Sequence, residues 1–374
     1  MQRPALAYVV NALNPGGTER LVVDMSRAFS REYDLQVICL DTPGTWGEAL
    51  RADGIPVHCL WRRPGLDLSM AGKLAGIFRA ARTRLVHAHQ CTPWFYAALS
   101  RLRGRAPRLL LEEHGRFYPE IPNAKRAFIN RVLIRNLTHA FVAVSEDVRM
   151  RLERYEGLDA RKIRVIYNGV TPRAPIDAAT RSALRAQLGL DRDDFVIGTV
   201  GRFDSIKNLP MLVRGIAAVA QAEPRVRGLL VGDGPEMKPI RALVEQLGLQ
   251  ERIRITGFRE DARELAQCMD LFALTSFSEG TSMALLEAMS AGMPVVVTAV
   301  GGNPEIVSGG ETGWVVPSDD VGALSTALTD ALSDAPLREQ RGAAARRRFD
   351  ERFRFETMIE RYRRLYRELL EQPA

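Results

Sequence analysis

Two glutamates in the stretch SEGTSMALLEAMSAGMPVVV, residues 278–297, are spaced so that one ligand could touch both. Glu279 precedes a run of Met, Ala and Leu that reads as a helix, and Glu287 lies inside that run. Glu287 is the only charged side chain between Glu279 and Glu305, so no neighbour in the run can pair with it. Thr281 and Ser282 are good N-caps, and Gly292 before Pro294 marks the end of the helix. The free N–H groups of a first turn, together with the helix dipole, favour an anion such as a phosphate. In a helix Glu287 lies roughly 12 Å beyond Glu279. A ligand with hydroxyls at both ends and phosphate between them fits that spacing, as a nucleoside diphosphate sugar does. The plainer alternative makes Glu279 a loop acid on the surface and Glu287 a solvent-facing helix residue.

Further candidates follow apolar, strand-like runs. GRFDSIK places Arg202 and Lys207 in a loop leading to a helix, where cations suit a diphosphate whose charge must be neutralised as it departs. VGDGPE, 231–236, resembles a phosphate loop weakly, and Gly301-Gly302 reads as a turn before a helix started by Glu305. NPGG puts Gly16 and Gly17 at the opening of a helix, where backbone N–H groups can approach a phosphate closely. It is not the Gly-x-Gly-x-x-Gly fingerprint of dinucleotide enzymes. His114 ends the run RLLLEEH, where a histidine either bonds a sugar hydroxyl, shuttles a proton or serves structure alone. His87 and His89 alternate on LVHAH, but no Cys, Asp or third His stands at ligand spacing, so no zinc site is expected.

The elements that must hold these residues are α/β. The chain has 374 residues, 46% hydrophobic and 26% charged, enough for two globular domains with separate cores. Short β-rich runs alternate with helical ones near 17–30, 46–53, 69–82, 93–102 and 124–137. The alternation breaks at YNGVTPRAP and restarts at FVIGTVG, with helices at 208–221 and 235–247. Such alternation predicts parallel sheets covered on both faces. We therefore expect two doubly wound Rossmann-like domains, 1–172 and 173–354, with ligands bound beyond the carboxyl ends of their strands. A helix at about 355–374 carries one apolar stripe and is expected to pack back on the first domain.

The four cysteines lie far apart and suit buried free thiols, and no run is long and apolar enough to span a bilayer. A cytoplasmic protein is the expectation. The net charge of +7 is uneven: residues 1–172 hold 26 Lys+Arg and 16 Asp+Glu, residues 173–374 hold 26 and 29. The basic half calls for an anionic partner, whether an acidic lipid surface, a phosphorylated acceptor or nucleic acid. KRAFINRVLIRNL, 125–137, mixes Lys125, Arg126, Arg131 and Arg135 with Phe128, Ile129, Val132, Leu133 and Leu137. It reads either as a domain helix with a basic edge or as a contact for an anionic membrane surface.

Taken together, GGTE, EEHG, YNGV, GRFDSIKN, GDGP, SEGTSMALLEAMSAGMPVV and VGGNPEIV resemble, in order and spacing, the retaining glycosyltransferases of family four, which have the GT-B fold of two such domains facing across a cleft. The resemblance covers almost the whole chain. It implies a nucleotide-sugar donor (UDP- or GDP-sugar), no metal or other cofactor, a glycan or lipid-linked acceptor in polysaccharide assembly, and no nucleic-acid partner. Gly16 and Gly17 match the loop near the donor phosphate, and His114 matches the histidine near the transferred sugar. Arg202 and Lys207 match the diphosphate-binding pair, Glu279 the acid on the sugar hydroxyls and Glu287 the acid on the ribose. Gly280, Thr281 and Ser282 complete the donor loop, although much of the family has Phe-Gly where Thr281-Ser282 stands, so sugar identity does not transfer. The competing readings are a nucleotide-sugar epimerase or phosphorylase on the same fold, and a non-catalytic nucleotide-sugar-binding protein.

Overall fold

The computed structural model describes residues 3–104, 107–115 and 120–371. The chain divides into two compact units, Met1–Asn168 with Glu356–Ala374, and Gly169–Phe355.

The first unit is built on seven strands: β1 (Ala5–Ala12), β2 (Asp34–Thr42), β3 (Val57–Cys59), β4 (Leu85–His89), β5 (Arg108–Glu113), β6 (Ala140–Ala143) and β7 (Ile163–Val165). They form one parallel sheet in the order β3-β2-β1-β4-β5-β6-β7. Helices cover both faces, which is why β1 is buried continuously over Leu6–Val10 and β4 over Leu85–His89 instead of alternating inside and outside. The order turns back between β1 and β4, the kind of switch point beside which α/β sheets bind ligands.

The second unit repeats the plan with β8 (Phe195–Val200), β9 (Val226–Val231), β10 (Ile253–Ile255), β11 (Leu271–Leu274), β12 (Val295–Thr298) and β13 (Trp314–Val316). All are parallel, in the order β10-β9-β8-β11-β12-β13. The two-domain α/β class predicted from the alternation is the one observed. At the unit's edge the outgoing and returning segments run side by side: Val170 N–H donates to Phe353 O at 3.1 Å, and Phe355 N–H to Val170 O at 3.0 Å.

Two helices differ from expectation. The 124–137 stretch is an α-helix only over Ala124–Val132, followed by a 3-10 turn at Ile134–Leu137. Ile134 is fully buried, and Trp94 Nε1 donates to Thr138 Oγ1 at 2.7 Å, so packing pulls the end of the stretch out of helical register. The helix expected to reach Gly292 is shorter, Met283–Ser290, capped by Ser282 and closed by Gly292 at φ +72°.

The helix Phe355–Glu371 buries Met358, Ile359, Tyr362, Leu365, Tyr366 and Leu369. Residues 372–374 of the expected stretch lie outside the described residues. Tyr366 packs against Phe29 and Tyr33, and Arg363 makes a two-point ion pair with Glu32 at 2.7 and 2.9 Å. Burying an apolar side chain of this size is worth roughly 1.5–3 kcal/mol, so the aromatic stripe outweighs the ion pair in holding the helix. No helix among the described residues is long and apolar enough to cross a membrane, and all four cysteines are free thiols.

Candidate active site

In the second unit, three loops at the carboxyl ends of strands converge on Glu279. The loop after β8 carries Arg202 and then a 3-10 turn, Ser205–Lys207, whose Asp204 cap accepts from Ile206 N–H. Lys207 Nζ lies 2.7 Å from Glu279 Oε1, and Ser276 Oγ donates to the same oxygen at 2.5 Å. Thr275 Oγ1 bonds the carbonyls of Lys207 and Asn208, and Phe277 N–H donates to Ile206 O, so the loops after β8 and β11 are stitched together. The third loop, after β12, supplies Gly301 and Gly302. Gly302 N–H donates to Glu279 O at 3.2 Å, and Gly301, at φ +53°, leaves only 1.9 Å between a hypothetical Cβ and that oxygen. A glycine is required there twice over, for its backbone and for its emptiness.

Glu279 is thus fixed through both its side chain and its backbone. Gly280, Thr281 and Ser282 follow it, all buried, and Ser282 Oγ accepts from Leu285 N–H at 3.4 Å as the helix begins. Arg202 is held differently. Its side chain is 66% exposed, 3.9 Å from Asp204 Oδ2, free to reach a ligand. The GDGP turn after β9 has a packing role. Phe203 N–H donates to Asp233 O at 2.8 Å, and a Cβ on Gly234 would meet Phe203 O at 2.3 Å. It therefore supports the Arg202 loop by close backbone approach.

Glu287 does have a partner, which the run around it could not reveal. Arg263, on the short helix Ala262–Ala266, places Nη2 2.5 Å from Glu287 Oε1. The pair is about three-quarters buried, so its charges are less screened than those of an open surface pair.

In the first unit, Gly16 is the N-cap of the helix Gly17–Phe29 in extended conformation. Glu19, in the first turn, folds back over it: a Cβ on Gly16 would sit 2.3 Å from Glu19 Oε2.

His114 belongs to a buried polar cluster. Strand register sets it up, pairing Tyr8 with His87 and His89 with Glu112 across β1, β4 and β5. His89 Nδ1 lies 2.9 Å from His114 Nε2 and 3.3 Å from Glu112 Oε2. His87 Nε2 lies 2.9 Å from the same Glu112 oxygen, while His87 Nδ1 faces Tyr366 Oη at 2.6 Å. Tyr8 Oη is 3.1 Å from Tyr366 Oη. Burial pushes the His114 ring down to about 4, with Glu112 opposing and His89 assisting. Burial likewise takes His89 to about 4, assisted by His87. Burial opposes the charge on Glu112, but His114 and hydrogen bonding from His87 and His89 outweigh it and hold the carboxyl well below the usual range.

His87, His89 and Glu112 bring three buried atoms that could ligate a metal within 4.8 Å of one another, Glu112 being the third ligand that the sequence did not offer at ligand spacing. The two nitrogens of His87 face Tyr366 Oη and Glu112 Oε2. Glu112, Ser276 and Arg263 are the residues that sequence reasoning missed.

Fold and strand-end loops together define a glycosyltransferase scaffold of the GT-B kind. Residues 15–173 match Glycosyltransferase Family 4 and residues 180–348 match Glycosyl transferases group 1. The chain belongs to this family of glycosyltransferases. It is 25% identical over 316 residues to the N-acetyl-alpha-D-glucosaminyl L-malate synthase of Bacillus anthracis, covering 84% of this chain and 82% of that one. It is 35% identical over 196 residues to a D-inositol 3-phosphate glycosyltransferase of Mycobacterium sp. (strain KMS), a match over 50% of this chain and only 43% of the relative. Among solved structures, a glycosyltransferase from Rickettsia africae ESF-5 superposes with a TM-score of 0.86 at 22% identity, covering all of both chains. Anabaena Alr3699/HepE, in complex with UDP and glucose, gives 0.84 at 24% identity over 97% of this chain and 99% of that one.

Proposed function

We propose that this glycosyltransferase moves a sugar from a UDP- or GDP-sugar to a glycan or lipid-linked acceptor in cell-surface or exopolysaccharide assembly. Transfer occurs with retention of anomeric configuration and without a metal. The observation that carries the reading is the Lys207–Glu279 contact, which sets a cation for the diphosphate beside an acid for the sugar hydroxyls at the ends of β8 and β11. The Anabaena neighbour, solved with UDP and glucose, supports a nucleotide-sugar donor.

In this reading Lys207, Arg202 and the N-terminus of the helix Met283–Ser290 stabilise the departing diphosphate. Glu279 orients the sugar as positive charge develops on it, and Glu287 takes the ribose hydroxyls. Gly16, Gly17 and His114 carry the roles that the family resemblance gives them. The acceptor attacks on the face the diphosphate leaves, with the leaving phosphate drawing off its proton.

The test is nucleotide release from a panel of UDP- and GDP-sugars, with and without lipid-linked acceptors, in EDTA-treated protein. The expected result is acceptor-dependent release and a product of unchanged anomeric configuration by NMR. Lys207→Ala and Glu279→Ala proteins that fold and turn over like the wild type overturn the assignment. Donor conversion without acceptor points instead to an epimerase, and tight donor binding without release to a sensor.

The same reading places the protein in the cytoplasm, peripheral on the inner face of the membrane. The helix Ala124–Val132 and the residue after it expose Phe128, Ile129, Val132 and Leu133 beside Lys125, Arg131 and Arg135, apolar anchors within a basic surround. Salt-sensitive sedimentation with anionic vesicles, weakened in Phe128→Ser/Val132→Ser, is the expected result. Equal sedimentation of both proteins removes the membrane from the proposal.

A further inference from the structure

A strand-end histidine near a sugar can act as a proton shuttle or as a fixed hydrogen-bond donor, and the two demand different protonation states. The buried cluster around His114 chooses between them. Resting on the reading that His114 serves the donor sugar, we propose that Glu112 is a positioning residue which, through His89, fixes His114 as a neutral imidazole carrying its proton on Nδ1.

The reasoning starts at the one group in the cluster whose role is unambiguous. An ionised carboxylate accepts hydrogen bonds and never donates them. Glu112 is fully buried, and three imidazoles approach its Oε2: His87 Nε2 at 2.9 Å, His89 Nδ1 at 3.3 Å and, beyond hydrogen-bond distance, His114 Nε2 at 3.7 Å. In His87 and His89, the two rings within hydrogen-bond distance, the nitrogen facing the carboxylate therefore carries the proton. For His87 this leaves Nδ1 as an acceptor, and Tyr366, whose phenol burial keeps protonated, donates to it at 2.6 Å. Tyr8 in turn donates to Tyr366 at 3.1 Å. The directions along Tyr8, Tyr366 and His87 are mutually consistent.

The other side follows by the same rule. With its proton on Nδ1, His89 points that proton between Glu112 and His114 Nε2, the latter only 2.9 Å away. His114 Nε2 must then be the acceptor, and a neutral His114 has its proton on Nδ1. That atom is buried and has no hydrogen-bond partner among the described residues. The line from Glu112 thus ends in one spare N–H. A donor fixed in this way is already oriented before a hydroxyl or ring oxygen arrives, and it carries no charge to be desolvated. Protonating His114 would place a second donor against His89 Nδ1–H and break the line, so the shuttle role is disfavoured.

The chain has five histidines, few enough for each ring to be resolved in a long-range proton–nitrogen NMR spectrum of the full-length protein labelled with 15N-histidine. His114→Asn assigns the His114 signals. The expected result at pH 7 is a neutral His114 with the Nδ1–H tautomer, beside a His87 with the Nε2–H tautomer. An Nε2–H His114, or an imidazolium, overturns the inference. In Glu112→Gln the tautomer preference at His114 should collapse into an averaged spectrum. Its kcat should then fall on the order of 10-fold, the worth of one misplaced hydrogen bond, with donor KM nearly unchanged. A Glu112→Gln spectrum identical to wild type at His114 also overturns it. Should Glu112→Gln fail to fold, the wild-type spectrum decides alone. His114→Ala with full turnover sinks the functional reading of His114 and leaves the tautomer result standing, so the two failures are told apart.

Discussion

Lys207 Nζ and Glu279 Oε1 are 2.7 Å apart, although 72 residues separate them in the chain. The contact makes the cation proposed for the diphosphate and the acid proposed for the sugar one unit, each holding the other's charge in place.

A double-mutant cycle on this pair should therefore be strongly non-additive. Lys207→Ala and Glu279→Ala should each lower kcat by on the order of 100-fold or more, and the double variant should be little worse than either alone. Steady-state nucleotide release measures all four proteins. Losses that multiply would show that the two residues act independently.

Gly301→Ala should damage the same acid from behind. Its Cβ would meet Glu279 O at 1.9 Å, and its φ of +53° is costly for alanine. We expect about 1–3 kcal/mol of destabilisation with a marked loss of turnover. Gly310→Ala is the control, because Gly310 has φ +83° but nothing within 4 Å of a Cβ. It should show the backbone cost in thermal denaturation while turnover is retained.

Arg263→Ala should raise donor KM by roughly 10-fold and leave kcat nearly intact, because it releases the acid assigned to the ribose without touching the reacting bond. Arg263→Lys, retaining charge but not the guanidinium plane, should fall between. A lowered melting temperature with donor KM unchanged would make the Arg263–Glu287 pair a fastening between two helices only.

Folding stability should decline on mild acidification. His89 and His114 are held down to about 4, whereas imidazoles in an unfolded chain titrate near 6.5. The unfolded chain then binds protons that the folded rings refuse. Stability is complete above about pH 6.5 and falls as pH drops toward 4, on the order of 2 kcal/mol for one such ring by pH 5. The depressed Glu112 carboxyl acts in the same direction at still lower pH. Urea unfolding at pH 7, 6 and 5 gives the slope, and His89→Phe should make it shallower.

The fold was readable because each strand is an apolar run and each crossover a periodic one, so Leu6–Val10 and Val226–Val231 declared themselves without help from their partners. Glu279 and Lys207 were each legible as strand-end polar residues, but their contact was not, since nothing local joins residues 72 apart. Arg263 escaped because the helix Ala262–Ala266 is too short to show a period. Glu112 escaped for another reason. A Glu-Glu pair looks like surface charge, yet Glu112 is 0% and Glu113 3% exposed. The available signal was alternation: His87 and His89 on one strand, Glu112 on another with His114 just past its end, each pair two residues apart. Only the pairing of β4 with β5 puts His89 beside Glu112.

The helix Phe355–Glu371 follows the whole second unit in the chain, yet Tyr362 and Tyr366 fill the core of the first and Tyr366 completes the His87 line. During synthesis the first sheet therefore emerges with Phe29, Tyr33 and His87 uncovered, and it stays so while all of residues 169–355 are being made. Its last wall arrives only after the second unit has had the chance to fold. A chain ending at residue 355 should hold a folded second half and an open first one, with the greatest need of a chaperone at its oldest end.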